Sequence, residues 1–201
     1  MASNFFATIF RMKYIERWAL MRNSDRENIS EHSLEVAMIA HALCTIGNVR
    51  FGKDLDASKA ALIGLYHDAS EIITGDMPTP VKYFNSEISH AFKDVEAKAV
   101  YRLLHELPED LRPVYEKIFF SGEEEEAYLR SLVKAADKLS ALIKCIQEEN
   151  AGNREFRTAR QTIENSLDLM QEELPELREF RLEFIESYGR TLDELLGTAG
   201  S

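Results

Sequence analysis

Hydrophobic residues recur at intervals of three and four positions along almost the whole chain. This spacing places apolar side chains on one face of an α-helix. No segment shows the sustained apolar and polar alternation over four to eight residues that indicates a β-strand. The pattern therefore predicts an all-α fold. The predicted helices span residues 4–14, 30–47, 57–74, 87–105, 109–119, 123–149, 154–170 and 175–196.

Several predicted helix ends carry residues that favour them. Asn28 and Glu31 have the spacing of a capping box at the start of the second helix. Gly47, Gly75 and Gly152 stand where three of the helices are predicted to end, and glycine is the usual residue just past a helix end. The positions of these capping residues therefore agree with the helices that the hydrophobic spacing predicts.

The length of 201 residues and the hydrophobic content of 45% predict one domain with a sizeable core, spanning 1–201. The chain has no internal repeat and no linker rich in Gly, Pro or Ser. We expect a main bundle over about 28–150, followed by C-terminal helices over about 154–197. Those last helices either cover the core or form a dimer contact.

The charge balance narrows the class of partner. With 35 acidic and 24 basic residues, the net charge of −11 opposes long-range attraction to nucleic acid or to an anionic membrane surface. No apolar run approaches the roughly 18 to 20 residues of a membrane span, and no secretory signal is evident. Cys44 and Cys145 lack a CxxC partner and are interpreted as buried thiols. We expect a cytoplasmic protein whose ligand is a small molecule.

Candidate chemistry is concentrated at His67, Asp68 and Glu71. At about 100° per residue, Glu71 would lie on the same side of a helix as the other two, so the three polar groups could converge on a metal ion. An adjacent His and Asp is a weak signal by itself, because surface residues produce the same dipeptide by chance.

Two distant residues strengthen this signal. His32 and Asp137 each stand in an otherwise apolar helix. A carboxylate beside such an apolar stripe is costly to bury unless a positive group receives it. The alternative is a half-exposed Asp137 paired with Lys134 or Lys138.

Taken together, His32, His67, Asp68 and Asp137 have the order H…HD…D, which resembles the HD metal-dependent phosphohydrolase superfamily. Two imidazoles and two carboxylates can hold Mn, Co, Fe, Ni or Zn, so the ligand types alone do not choose the metal. The resemblance implies a single HD-domain helical bundle with additional C-terminal helices, in which residues 28–150 form the metal-binding core.

Four flanking segments make the resemblance closer. Residues 17–23 (RWALMRN), 27–33 (ENISEHS), 67–71 (HDASE) and 75–85 (GDMPTPVKYFN) look like the bacterial YfbR-type 5′-deoxynucleotidases. The likeness covers residues 5–153 and weakens in the last forty residues.

The resemblance implies that His32, His67, Asp68 and Asp137 bind one divalent ion, with Co²⁺ favoured and Mn²⁺ or Zn²⁺ as alternatives. Glu71 would position or deprotonate the attacking water, since it lies near the ligands and is not needed to complete the metal shell. The alternative is that Glu71 accepts a hydrogen bond that orients His67.

The likeness also assigns substrate contacts. Arg17 matches the family residue that holds the phosphate, and its planar fork of donors suits this task. The alternative is a surface ion pair with Asp25 or Glu16. Trp18, the single tryptophan, would line the sugar pocket and disfavour a 2′-hydroxyl, whereas a lone tryptophan is otherwise most often core.

The segment that follows Gly75 supplies the remaining implied contacts. Asp76 is assigned to the 3′-hydroxyl and Thr79 to the sugar or phosphate, and the alternative is a purely structural turn. The implied substrate-binding set is Arg17, Trp18, His32, Asp68, Asp76, Met77, Pro78 and Thr79.

The resemblance therefore implies a metal-dependent phosphomonoesterase that hydrolyses 2′-deoxyribonucleoside 5′-monophosphates, with Glu71 and Arg17 as catalytic residues. It also implies a homodimer that acts on neither nucleic acid nor membranes. Two alternatives remain: another HD hydrolase, such as a phosphodiesterase or a deoxynucleoside triphosphate hydrolase, or a non-catalytic nucleotide sensor.

Overall fold

The computed structural model describes residues 2–82, 84–120 and 125–197, and within these ranges it contains helices and turns but no strand. The all-α prediction is confirmed. Two 3-10 helices, Phe10–Tyr14 and Ile185–Gly189, accompany the α-helices. The α-helices are α1 Phe5–Ile9, α2 Ile29–Phe51, α3 Ala57–Tyr66, α4 Glu71–Thr74, α5 Thr79–Lys82, α6 Ser86–His105, α7 Arg112–Phe119, α8 Glu125–Asn150, α9 Arg157–Met170, α10 Pro175–Phe184 and α11 Leu192–Leu195.

Helix α2 begins as predicted but ends later. The Asn28 side chain accepts from the backbone N–H groups of Ser30 and Glu31, and the Glu31 side chain accepts from the Asn28 backbone, so the capping box is formed. The predicted end at Gly47 is wrong. The helix continues to Phe51 and ends at Gly52, whose φ of 63° is left-handed.

Gly47 serves close packing within α2. A Cβ at this position would lie 2.8 Å from Glu176 Oε1 and 2.8 Å from Leu55 Cδ1. The absent side chain therefore lets α10 and the α2–α3 connection approach the helix.

The predicted continuous helix 57–74 is also wrong, because α3 ends at Tyr66 and α4 begins at Glu71. In the turn between them, the Ala69 N–H donates to the Tyr66 carbonyl at 3.1 Å and the Glu71 N–H donates to the Asp68 carbonyl at 2.9 Å. These bonds to the third residue back tighten the chain and interrupt the α-helical ladder. Glu71 therefore begins a new helix instead of lying one turn further along α3.

Other boundaries differ near turns. The predicted helix 175–196 is broken after Phe184 by the second 3-10 helix, and Thr191 starts α11 with a capping box of its own. Helices α7 and α9 each begin three residues later than predicted, after turns such as the one in which Leu111 N–H donates to the Pro108 carbonyl. The predicted start of the next helix at Glu123 lies outside the described residues, and the described part of α8 spans Glu125–Asn150.

The main core surrounds α2, which packs against α3, α8 and α10. Leu167 of α9 and Leu177 and Phe180 of α10 are buried in the same apolar cluster as Val36 and Leu139. The C-terminal helices therefore cover the core. A second apolar cluster joins the N-terminal segment to the end of α6; its fully buried members are Phe5, Ala69, Leu103 and Leu104.

Helix α2 is long and apolar enough to cross a membrane by length and composition, and it is the one helix in the described ranges that meets this test. In the fold it is the central helix, with Val36, Ala40 and Leu43 fully buried among its neighbours. Core helices pass the same test, so its composition is weak evidence for a membrane span.

A buried polar network fixes the irregular segment before α2 onto α8. The Glu148 carboxylate accepts from Lys144 Nζ at 2.5 Å, from the backbone N–H groups of Ser24 at 2.8 Å and Asp25 at 3.2 Å, and from Asn153 Nδ2 at 2.7 Å. Burial acts to raise the pKa of Glu148, but these hydrogen bonds, with that from Lys144 foremost, lower it from 4.5 to about 2. The Glu148 carboxylate thus holds the backbone of Ser24 and Asp25, and two of its partners bond the same segment, since Lys144 donates to the Asp25 carbonyl and Asn153 to the Arg22 carbonyl.

Replacing this carboxylate should destabilise the protein. Glu148→Gln leaves the Lys144 ammonium buried without its counter-charge, and we expect a loss of about 3 kcal/mol or more in the free energy of unfolding. Urea unfolding measures this loss. In the control Glu186→Gln, the exposed pair with Arg190 should contribute less than about 1 kcal/mol. Equal stabilities for the two variants would contradict the network's importance.

Since the folded-state pKa of Glu148 lies below its ordinary value, the stabilisation should be complete above about pH 4.5 and lost as the pH falls through about 2.

Candidate metal centre and active site

Three of the predicted ligands lie together. His32 is fully buried in the first turn of α2, and His67 and Asp68 lie in the turn after α3. One potential ligand atom from each of the three lies within 4.8 Å of the others. Asp68 Oδ2 is 3.0 Å from His67 Nε2 and 3.5 Å from His32 Nε2.

Asp137, which lies in α8 and far from the other three residues along the chain, contacts the same cluster. Its Oδ1 lies 3.1 Å from His32 Nε2 and 3.9 Å from His67 Nε2. The alternative ion pair with Lys134 or Lys138 is not formed among the described residues. The fold thus brings together all four residues of the H…HD…D pattern.

Hydrogen bonds behind the imidazoles determine which nitrogen of each ring is available. His67 Nδ1 is 2.7 Å from the Gly64 carbonyl, which can only accept, so Nδ1 carries the proton. His32 Nδ1 is 3.0 Å from Ser140 Oγ, and Ser140 donates its own proton to Glu35 Oε2 at 2.8 Å. Ser140 therefore accepts from His32. In both rings Nε2 faces the carboxylates.

The Nε2 atoms of His32 and His67 are buried and have no hydrogen-bond partner within the described part of the chain. An unprotonated Nε2 would point its lone pair at the carboxylate oxygens, so each of these nitrogens requires either a proton or a metal cation at this place. Burial lowers the pKa of His67, but the Asp68 carboxylate outweighs this effect and raises the pKa to about 9. Burial also acts against ionisation of Asp137, yet the neighbouring His32 holds its pKa below the ordinary range.

This electrostatic demand and the donor set of two nitrogens and two carboxylates fit a borderline divalent cation.

Glu71 stands beside this cluster as the first residue of α4. Its side chain is buried, and its Oε2 makes no hydrogen bond to any described residue. Burial and then the negative charges of Asp68 and Asp76 raise its pKa to about 9. A buried carboxyl group with an unused oxygen beside a cation site can bind or deprotonate a water molecule.

Arg17 makes a largely buried ion pair that the sequence analysis missed. Its Nη1 donates to Glu27 Oε2 at 2.7 Å, and the surface pairs considered with Asp25 or Glu16 are not formed in the described structure. The antiparallel bridge between Glu16 and Asn28 brings Glu27 alongside Arg17, and helical periodicity does not reveal such a bridge. The available signal was an acidic residue immediately before the N-cap of α2.

The guanidinium of Arg17 also interacts electrostatically with the candidate metal centre. Burial lowers its pKa, but the charges of Glu27, Asp137 and Asp68 together raise it above the ordinary value. The cation is thus close enough to the cluster to interact with its carboxylates, as a phosphate-binding group would be.

Trp18 is half-buried and lies outside both apolar clusters. Its backbone N–H donates to Asp76 Oδ2 at 3.1 Å, and its indole Nε1 donates to Glu27 Oε2 at 2.9 Å. The ring centre lies 5.3 Å from that of Phe156. Asp76 is therefore joined to the Arg17–Trp18 segment, and its Oδ2 already accepts a hydrogen bond from the backbone of Trp18.

The rest of the predicted substrate loop is less constrained. Met77 and Pro78 are half-buried after α4, and Thr79 is exposed at the start of α5. In the described ranges, the Thr79 side chain makes no hydrogen bond to the candidate metal centre. Of the four loop residues, Asp76 has a direct structural link to the site.

Known sequences resemble this chain over nearly its whole length. A model of the family described as 5′-deoxynucleotidase YfbR-like matches residues 4–188. The 5′-deoxynucleotidase of Erwinia tasmaniensis is 47% identical over 193 residues, which cover 96% of each chain. The 5′-deoxynucleotidase YfbR of Salmonella paratyphi B is 46% identical over 196 residues, again 96% of each chain.

Solved structures show the same architecture. An HD-domain phosphohydrolase from Listeria innocua superposes with a TM-score of 0.80 at 22% identity, covering 97% of this chain and 95% of that chain. The HD phosphohydrolase DatZ of cyanophage S-2L, a structure described as bound to dA and one catalytic Zn²⁺ ion, gives a TM-score of 0.61 at 18% identity, covering 91% and 95%. At these identities the likeness establishes the HD fold.

The hydrogen bond behind His32 yields a test of metal binding. We expect Ser140→Ala to weaken the binding of Mn²⁺ or Co²⁺ about 10- to 100-fold, because His32 loses the acceptor that holds its ring and tautomer. Calorimetric titration of chelator-treated protein measures the affinity. Ser131→Ala is the matched control on the same helix, since Ser131 donates to the carbonyl of Ala127. Wild-type affinity in Ser140→Ala would refute the supporting role.

Proposed function

The chain belongs to the YfbR-like 5′-deoxynucleotidase family of HD phosphohydrolases, and on that premise we propose that it hydrolyses 2′-deoxyribonucleoside 5′-monophosphates to deoxynucleoside and inorganic phosphate. One observation carries the proposal: two buried imidazoles and two carboxylates converge beside a buried arginine and an unpaired glutamate. Such a site can hold a cation, a phosphate and a water together.

His32, His67, Asp68 and Asp137 would hold one divalent ion. When bound, the ion would neutralise a phosphoryl oxygen and acidify a coordinated water. A metal is supported by DatZ, a protein of the same fold that is described with one catalytic Zn²⁺ ion. The family resemblance favours Co²⁺, and Mn²⁺ or other ions suit the same ligands.

Glu71 would accept the proton of the attacking water as the water oxygen bonds to phosphorus and the bond to the 5′-oxygen breaks. The leaving 5′-oxygen would take a proton from solvent water to give the 5′-hydroxyl of the deoxynucleoside. The negative charge of Asp68 contributes to the raised pKa of Glu71. A cation bound to Asp68 would offset this negative charge and lower the pKa of Glu71, which favours the ionised carboxylate that a base requires. Arg17 would donate to the phosphate oxygens and stabilise the charge that develops on them.

The sugar would lie against Trp18, whose ring would exclude a 2′-hydroxyl. Asp76 would receive the 3′-hydroxyl through the carboxylate that also holds the Trp18 backbone. Met77, Pro78 and Thr79 would border the nucleotide, with Thr79 near the sugar or phosphate, and His32 and Asp68 would lie beside the phosphate.

We also propose that the protein acts as a cytoplasmic homodimer on a free nucleotide, within a single domain of residues 1–201. The dimer is supported by likeness to the family, and the negative net charge of −11 supports a small-molecule substrate over nucleic acid or membrane. Sedimentation at several protein concentrations tests the dimer.

Paired substrates test the activity directly. After chelation and addition of Co²⁺, Mn²⁺, Zn²⁺ or Mg²⁺, we expect phosphate release from dAMP to be at least about tenfold faster than from AMP, because Trp18 excludes the 2′-hydroxyl. Equal rates would contradict the sugar discrimination. Turnover of dATP without dAMP would instead support a triphosphate hydrolase, and binding without turnover would support a sensor.

Glu71→Gln separates catalysis from metal binding. We expect kcat for dAMP to fall by at least about 10²-fold because the base is lost. The metal content per chain, measured by mass spectrometry, should stay near that of the wild type, since Glu71 lies outside the four proposed ligands. Turnover close to the wild-type rate would exclude Glu71 as the base.

A further inference from the structure

Glu27 has no role in the proposed reaction, yet it contacts both side chains assigned to the substrate. A single oxygen, Oε2, accepts from Arg17 Nη1 at 2.7 Å and from Trp18 Nε1 at 2.9 Å. The Glu27 side chain is 10% exposed, and the guanidinium carbon of Arg17 lies 5.6 Å from the centre of the Trp18 ring. One buried carboxylate therefore holds the cation and the indole as a unit.

The backbone keeps this unit in register with α2. The Arg17 N–H donates to the Glu27 carbonyl at 2.9 Å, and the Ile29 N–H donates to the Ile15 carbonyl at 3.0 Å. Residue 28, which follows Glu27, is the N-cap of the helix that carries His32. Arg17 and Trp18 are thus positioned relative to the candidate metal centre by a short antiparallel pairing.

Trp18 needs such support because its backbone has a φ of 58°, in the left-handed region that costs a bulky residue about 1–2 kcal/mol. Asp76 accepts its N–H at 3.1 Å, and its carbonyl accepts from Asn23 Nδ2 at 3.1 Å and from the Met21 N–H at 2.9 Å. These contacts hold the backbone and leave the side-chain torsions unrestrained. The bond from the indole N–H to Glu27 is the polar contact that fixes the ring.

Glu27 also leaves Arg17 equipped to bind an anion. The guanidinium has five N–H donors, and the bond to Glu27 engages one of its two terminal nitrogens. The carboxylate compensates the burial of the cation before substrate arrives, so the remaining donors need no reorganisation to receive a phosphate.

We propose that Glu27 is the positioning residue that couples phosphate binding to sugar selection, by locking the Arg17 guanidinium and the Trp18 indole to one carboxylate oxygen. The inference rests on the proposed function, which gives Arg17 the phosphate and Trp18 the sugar. If it is correct, removing only the charge of Glu27 should weaken phosphate binding and leave sugar selection intact, whereas removing the oxygen acceptor as well should also impair sugar selection.

Two variants separate them. Glu27→Gln keeps an oxygen that accepts from the indole but loses the charge facing Arg17, so the KM for dAMP should rise about tenfold while the ratio of kcat/KM for dAMP over AMP is retained. Glu27→Met has similar length but replaces the oxygen by a sulfur that accepts only weakly, so this ratio should also fall by about tenfold. Glu16→Gln is the matched control, because Glu16 lies on the same pairing and bonds to Arg26 at the surface.

Trp18 is the single tryptophan, so intrinsic fluorescence reports on it alone and needs neither metal nor substrate. Acrylamide should quench Glu27→Met more strongly than the wild type, whereas Glu27→Gln and Glu16→Gln should resemble the wild type. Wild-type quenching and an unchanged dAMP to AMP ratio in Glu27→Met would overturn the inference. If Glu27→Met does not fold, a wild-type KM for dAMP in Glu27→Gln would overturn it.

A failure of the proposed deoxynucleotidase activity can be distinguished from a failure of the role inferred for Glu27. A wild-type protein that releases no phosphate from dAMP with any of the metals would refute the deoxynucleotidase activity and with it the coupling to substrate. Increased quenching in Glu27→Met would then support the structural lock alone, as measured on the metal-free protein.

Discussion

The need of the Asp68 and Asp137 carboxylates for positive charge at the Nε2 atoms of His32 and His67 is the constraint on which the site depends. His32, His67, Asp68 and Asp137 approach one another around the buried Nε2 atoms of the two histidines, and an unpaired polar atom is costly when it is buried. Apolar packing of α2, α3 and α8 supplies the free energy that holds them together. A proton or a metal cation can supply this charge, and the set of two nitrogens and two carboxylates suits a divalent metal ion.

The substrate side of the site is held by polar contacts more than by apolar packing. The segment between the first 3-10 helix and α2 has no α-helix, yet Glu27 holds Arg17 and Trp18, and Glu148 holds the backbone of Ser24 and Asp25. Each carboxylate is buried and shared among several donors. Such networks specify one geometry because any other leaves a buried charge without partners. Preorganisation of the guanidinium and the indole follows from this requirement.

Much of the fold and the four candidate ligands could be predicted from the sequence, because helical periodicity and an H…HD…D order are local or motif properties. The departures arise from tertiary contacts. Gly47 lies within α2 because Glu176 and Leu55 need its space, and α3 breaks before Glu71 because turn hydrogen bonds redirect the chain. Glu27 was missed because its partners meet it through an antiparallel pairing that no helical pattern reveals. The four candidate ligands could therefore be named from the sequence, whereas Glu27, the proposed positioning residue, could not.

Anomalous diffraction from crystals grown with Mn²⁺ or Co²⁺ tests the central claim most directly. We expect one anomalous peak per chain, bonded to Nε2 of His32, Nε2 of His67 and a carboxylate oxygen of both Asp68 and Asp137, at about 2.0–2.2 Å. An ion bound elsewhere, or one of these four side chains turned away from the peak, would contradict the account of the metal centre.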